Sequence, residues 1–144
     1  MSVSVEVLGE VTDEVREAFD RLLSQLSTSA APLDHAALVR LATCETNTVL
    51  LARGGGRIVG TLTLVMFPVP SGLRARIEDV VVDEAARGRR VGAALTEAAL
   101  RIAREAGART VDLTSRPSRG AANRLYERLG FQPRESRVYR FPLG

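Results

Sequence analysis

The chain has 144 residues, 45% of them apolar, with a mean hydropathy of +0.02, which fits one soluble domain spanning 1–144 with a real hydrophobic core. No apolar run approaches a membrane span and no basic-then-apolar leader opens the chain, so a cytoplasmic protein without a membrane partner is expected. All 20 cationic side chains are arginine, the net charge is +3, and the single cysteine, Cys44, excludes an internal disulfide.

Val3 to Leu8 alternates like a strand. Thr12-Asp13-Glu14 caps a helix that carries Val15, Phe19, Leu22 and Leu26 at helical spacing. Ser27 to Pro32 is a small-residue break, and a second short helix runs from Leu33 to Thr43. Thr46–Arg53 and Arg57–Phe67 read as strands joined by a Gly54-Gly55-Gly56 hairpin turn. Pro68 to Gly72 reads as a loop and Leu73–Val82 as a strand. A helix follows over 88–106, with Val91, Leu95, Ala98 and Ile102 inward and Gly107 as its stop. Thr110–Thr114 is a strand, Ser118 caps a helix through Leu129, and Val138–Phe141 is a final extended run. Hairpins alternate with strand-helix-strand crossovers, so the sheet should be mixed.

The passage from Val80 to Gly92 carries the most chemistry. A β-branched run ends at an acidic turn, and an Arg- and Gly-rich loop opens directly into a helix. The first N–H groups of a helix lack internal partners, and its dipole favours negative charge there. Gly88 and Gly92 allow close approach to the backbone, while Arg87, Arg89 and Arg90 offer planar donors to phosphate oxygens. Val91 and Ala93 complete the helix start. The expected ligand carries phosphate or pyrophosphate; the alternative is a βα turn with solvated arginines. The loop is neither a Walker loop nor a dinucleotide fingerprint, since the required Gly-Lys-Ser/Thr or paired glycines are missing.

Further on, residues 121–131 read Ala-Ala-Asn-Arg-Leu-Tyr-Glu-Arg-Leu-Gly-Phe. With the Arg-Gly-Arg-Arg-Val-Gly loop before it, this segment resembles the GNAT superfamily of N-acetyltransferases across Arg57–Phe131. The resemblance implies an α/β acyl-CoA N-acyltransferase fold. Its mixed central sheet is flanked by helices, and its parallel fourth (73–82) and fifth (110–114) strands splay apart around the pantetheine arm. It implies acetyl-CoA as cosubstrate, a small-molecule or peptide amine as acceptor, and direct transfer without a covalent enzyme intermediate. By the same likeness, the backbone of Val80, Val81 and Val82 holds the pantetheine amides and the thioester carbonyl, and Tyr126 protonates the leaving thiolate. A phenol with a reference pKa of about 10 is a proton donor at neutral pH.

Glu78 is the candidate base, placed on the same side of an undistorted strand as Val80 and Val82. A salt bridge to Arg74 or Arg76 is its alternative role. Asp79 points to the other face unless a bulge intervenes. Asn123 lies one turn before Tyr126 and could bond the pantetheine, orient the tyrosine or simply be solvated. Three positions depart from the family pattern: Arg90 stands at its first loop glycine, Glu84 at a frequent proline and Arg119 at a common asparagine. The first is tolerated if the Arg90 φ is negative.

Two other classes remain open on the sequence. One is a non-catalytic coenzyme A sensor on the same fold. The other is a basic nucleic-acid-binding domain, which the 4% aromatic content and the absence of any nucleic-acid motif disfavour. A Cys44–His35 pair has no supporting residues around it, so an inert thiol is expected, and no Cys/His cluster or Asp-rich loop suggests a metal. Pairing through the tail strand would give a homodimer.

Overall fold

Five strands form one sheet in the order β1-β2-β3-β4-β5. They are β1 (Val3–Val7), β2 (Asn47–Gly54), β3 (Arg57–Val69), β4 (Gly72–Val82) and β5 (Val111–Asp112). The helices are α1 (Asp13–Leu26), α2 (His35–Thr43), α3 (Val91–Glu105) and α4 (Gly120–Arg128), with one 3-10 turn at Glu84–Ala86. This computed structural model describes residues 2–144. The chain divides into two compact units, one ending at Leu113 and holding the sheet with α1–α3, the other Thr114–Gly144.

Local chemistry accounts for most boundaries. Thr12 Oγ1 accepts from the Val15 N–H at 3.2 Å, and Asp34 Oδ1 accepts from the Ala37 N–H at 2.8 Å, so each side chain satisfies a donor that its helix start would leave bare. Gly55 and Gly56, with φ of 60° and 80°, make the turn between β2 and β3 as expected. The 68–72 segment, expected as a loop, instead extends both strands and leaves Pro70-Ser71 as a tight turn. One long-range and one local bond hold it: Arg109 Nη1 donates to the Ser71 carbonyl and Arg74 Nη2 to Ser71 Oγ.

In the first unit, register fixes which residues share a face. Val49 and Leu51 of β2, Ile58 of β3 and Val81 of β4 pack with Val15, Phe19 and Leu22 of α1 and Leu38 of α2. Leu50 and Leu62 pair on the opposite face, the side of α3. Gly60 lies there too. A methyl group at Gly60 would come within 3.0 Å of Val91 Cγ1 and 3.2 Å of Leu95 Cδ1, so its bare backbone lets α3 seat closely on the sheet.

β4 does not run undistorted. Thr63 pairs with Glu78 but Thr61 pairs with Val81, so one extra residue is inserted, and Asp79 adopts φ +49°. The consequence corrects the expected geometry of Glu78. Directly opposed residues share a face, so Glu78 lies with Val81 on the α1/α2 side, whereas Val82, paired with Gly60, faces α3.

In the second unit, α4 begins at Gly120 with Arg119 as a cap that makes no side-chain bond; the expected Ser118 cap is not used. No residue of α4 is fully buried. The expected extended run Val138–Phe141 forms no strand, and Val138, Tyr139 and Phe141 are exposed.

Candidate functional site

β4 and β5 pair in parallel only at Ala75↔Val111 and Arg76↔Asp112. Beyond Asp112 the β5 edge of β4 has no strand neighbour, while its other edge stays paired with β3 through Val82. The bulge at Asp79 lies just past the point of divergence. The backbone of Val80, Val81 and Val82 therefore stands on a strand with one open edge. Val81 itself is buried, so its side chain serves the core.

β4 then turns through Asp83 and the 3-10 turn into the Arg87–Arg90 loop. All four residues of that loop are exposed. Gly88 adopts φ +80°, with no other atom within 4 Å of a Cβ there. Arg90 adopts φ +64°, so the negative angle under which an arginine at this glycine position would be tolerated is not met. The reason is its position as the residue before α3, where the chain reverses into the helix in the left-handed region. The first backbone bond of α3 runs from the Ala94 N–H to the Arg90 carbonyl at 3.0 Å. The N–H groups of Val91, Gly92 and Ala93 precede it and stay available for an anion. The side chains of Val91 and Ala93 point into the core, so these residues can offer backbone only. Two shallow depressions beside the loop, of about 240 and 630 Å³, share Arg89 and lie on the β1 side of the sheet, at the far edge from the open flank of β4.

The approach to this loop is tied down. Asp83 is 5% exposed. Its Oδ1 accepts from the Ala85 N–H at 3.1 Å and from Gln25 Nε2 at 3.4 Å, and its Oδ2 from Arg21 Nε at 3.0 Å. Burial pushes the Asp83 carboxyl up, but the bonds from Ala85, Arg21 and Gln25 outweigh it and hold the group below its usual value. The sequence marks Asp83 only as the acid that ends a β-branched run. Arg21 and Gln25 lie 62 and 58 residues away, Arg57 of β3 also stands 3.6 Å from Oδ2, and no local pattern announces these partners.

Glu78 is exposed and paired with Arg76, whose Nε donates to Glu78 Oε2 at 3.0 Å. Asn123 and Tyr126 lie in the second unit, on one face of α4. Asn123 Nδ2 donates to the Arg116 carbonyl at 3.0 Å, leaving its amide oxygen. The Tyr126 ring meets Phe131 edge-on, with centroids 5.7 Å apart. Burial raises the Tyr126 phenol above its ordinary value, against a smaller opposing pull from Arg119, so it stays protonated at neutral pH. Cys44 is exposed, with Sγ 3.3 Å from Thr46 Oγ1. Among the described residues, no group of three or more His, Cys, Asp or Glu side chains could hold a metal, and no helix is long and apolar enough to cross a membrane.

β4 thus leaves its parallel neighbour and empties through an arginine-rich loop into the start of α3. The sequence pattern of the acetyltransferase (GNAT) family matches residues 12–131. Among solved structures, an acetyltransferase from Trypanosoma brucei is 30% identical, with a TM-score of 0.80 over 99% of this chain and 100% of that one. An aminoglycoside acetyltransferase from an uncultured soil metagenomic sample is 25% identical, with a TM-score of 0.80 over all of both chains. Glucosamine-6-phosphate N-acetyltransferase from Arabidopsis thaliana shares the fold at 20% identity, with a TM-score of 0.80 over 98% of this chain and 99% of that one. No curated relative matches the sequence. The chain belongs to the acetyltransferase (GNAT) family, whose members use acetyl-CoA as cosubstrate, and its mixed sheet with parallel β4 and β5 is the fold that the sequence resemblance implied.

Proposed function

We propose that this chain, working as one domain over 1–144, transfers the acetyl group of acetyl-CoA to a primary amine, directly and within a ternary complex. The observation that carries the reading is the path of β4: it parts from β5 after Asp112, bulges at Asp79 and delivers the Arg87–Arg90 loop to the unpartnered N–H groups of α3.

Each residue then has a task that its surroundings allow. The N–H groups of Val91, Gly92 and Ala93, with Arg87, Arg89 and Arg90, bind the pyrophosphate; Gly88 and Gly92 keep Cβ atoms out of its way. The open edge of β4 at Val80–Val82 offers backbone groups to the pantetheine amides and to the thioester carbonyl, where negative charge develops as the amine attacks. Glu78, ion-paired with Arg76, accepts the proton that the amine loses, through water. The new C–N bond forms as the C–S bond breaks, and the Tyr126 hydroxyl gives its proton to the departing thiolate. The free amide oxygen of Asn123 faces the same way along α4 and can accept from a pantetheine N–H.

The acceptor belongs to the class of small amines, aminosugars, amino acids and peptide amines. The aminoglycoside acetyltransferase among the structural neighbours supports including aminosugars first. The test is an amine panel with acetyl-CoA, following free thiol. Amine-dependent thiol release supports the reading. Tight coenzyme A binding with no transfer to any amine would assign the chain to the sensor class. Salt-sensitive DNA or RNA binding without coenzyme A binding would replace both.

A further inference from the structure

Asp83, Arg21 and Gln25 take no part in the chemistry above, yet they form the most heavily bonded polar cluster in the first unit. Arg21 and Gln25 are four residues apart and share a face of α1. Arg21 spans two elements: Nε donates to Asp83 and Nη2 to the Ile58 carbonyl of β3 at 2.6 Å. Gln25 grips the turn twice. Its Nε2 donates to the Asp83 carboxylate, and its Oε1 accepts the backbone N–H of Glu84 at 2.9 Å. Asp83 is also fixed from its own backbone, its N–H donating to the Val59 carbonyl at 2.8 Å. Only three residues, Glu84–Ala86, separate this cluster from the exposed loop that begins at Arg87.

A loop with two left-handed residues, Gly88 and Arg90, has many alternatives when free, and ordering it on binding would subtract from affinity. We propose that Gln25 and Arg21 of α1, acting through Asp83, are positioning residues that hold the loop in its phosphate-receiving form before the coenzyme arrives. This rests on the reading that the 87–93 segment takes the pyrophosphate. The effect is confined to the phosphate end, because the cluster touches the turn into the loop and not the open edge of Val80–Val82.

The test compares ligands that share a pantetheine arm. Affinities of coenzyme A and of pantetheine are measured by calorimetry for the wild type, Gln25→Ala, Arg21→Met and Thr12→Ala. Thr12 caps the far end of α1, so its variant loosens the helix without touching the cluster. Gln25→Ala is expected to weaken coenzyme A by about three- to tenfold, the loss of one or two hydrogen bonds, and to leave pantetheine unchanged. Arg21→Met should show the same selective loss. Thr12→Ala should lower the melting temperature and leave both affinities alone. Unchanged coenzyme A affinity in folded Gln25→Ala and Arg21→Met overturns the proposal, as does equal weakening of both ligands. A wild type that binds coenzyme A no better than pantetheine would instead remove the phosphate site itself, and the tether with it.

Discussion

Asp83–Ala93 and Gly120–Gly130 each carry part of the proposed site on or beside a helix, and they are held in opposite ways. The first segment is bonded at its entrance by Arg21 and Gln25, and α3 beyond it buries Val91, Leu95, Thr96, Ala98 and Ala99. In the second, α4 starts, as α3 does, at an arginine cap without a side-chain bond, but it buries nothing completely. Its local ties are the Asn123–Arg116 bond and the Tyr126–Phe131 edge contact. The contrast follows the tasks. Holding a pyrophosphate needs several backbone donors fixed at once, which demands a rigid frame. Donating one proton needs a single hydroxyl. Substitutions in the first segment should therefore disturb stability and affinity, and those in the second should disturb turnover alone.

The largest expected effect is that of Tyr126→Phe. The ring and its contact with Phe131 persist, so melting temperature and coenzyme affinity should stay close to the wild type. Turnover should fall by about 10²–10⁴-fold under chemistry-limited conditions. Full turnover would make Tyr126 a packing residue and reduce the second segment to a scaffold.

Asp83→Ala should show the reverse pattern. It leaves Arg21, the Gln25 amide and the Ala85 N–H without their acceptor, for a loss on the order of 2–3 kcal/mol, since Arg21 can still reach solvent. The pH dependence has a definite sign. The folded Asp83 carboxyl lies below its ordinary value, so its stabilisation is complete above the unfolded pKa of about 4 and is lost as pH falls through the folded value. Urea unfolding of wild type and Asp83→Asn should therefore differ at pH 7 and converge in acid. An equal gap at both pH values would show that the carboxylate charge is not what ties the turn.

These residues also show where the sequence could be read and where it could not. Thr12, the Gly55-Gly56 turn and the strand-loop-helix passage after Val80 act through neighbours a few residues away, and each is visible as a local pattern. The bulge at Asp79 was not, because no glycine marks it and the extra residue is defined only against Thr61 and Thr63 of another strand. It reassigns the face of Glu78. Arg90 in a left-handed conformation breaks the usual preference for glycine, and nothing in the local sequence sets the sign of its φ. The Asp83 cluster joins residues 58 and 62 positions apart, beyond any local signal. Tyr126 and Asn123 take their proposed roles only from the motif that surrounds them.

Acetyl-CoA itself offers a smaller test of the first segment. At about one hundred times its dissociation constant it should raise stability by roughly 2.7 kcal/mol. Gly92→Glu should abolish that gain and keep the fold, because a carboxylate at a helix start suits the dipole but repels phosphate. A folded Gly92→Glu variant with the full ligand-induced shift in melting temperature would move the phosphate site elsewhere.

The smallest effect belongs to the tail of the second unit. Val138 is 74% exposed and Phe141 84%, and neither lies in a strand, although Val138-Tyr139-Arg140-Phe141 reads as an extended run. Apolar side chains that stay in water contribute almost nothing to folding, so Val138→Ser and Phe141→Ser should each change stability by less than about 0.5 kcal/mol. A tail strand paired with a second copy would behave differently. Val138 and Phe141 would lie on opposite faces of it, so one of the two would be buried, its replacement alone would cost about 1.5–3 kcal/mol, and stability would depend on protein concentration. Unfolding of both variants at two protein concentrations, alongside sedimentation of the wild type, separates the cases. Small, concentration-independent changes in a monomer would leave the tail free. A large loss in one variant of a dimer would show that the 138–141 run is paired with another chain, and that the unit is completed by association.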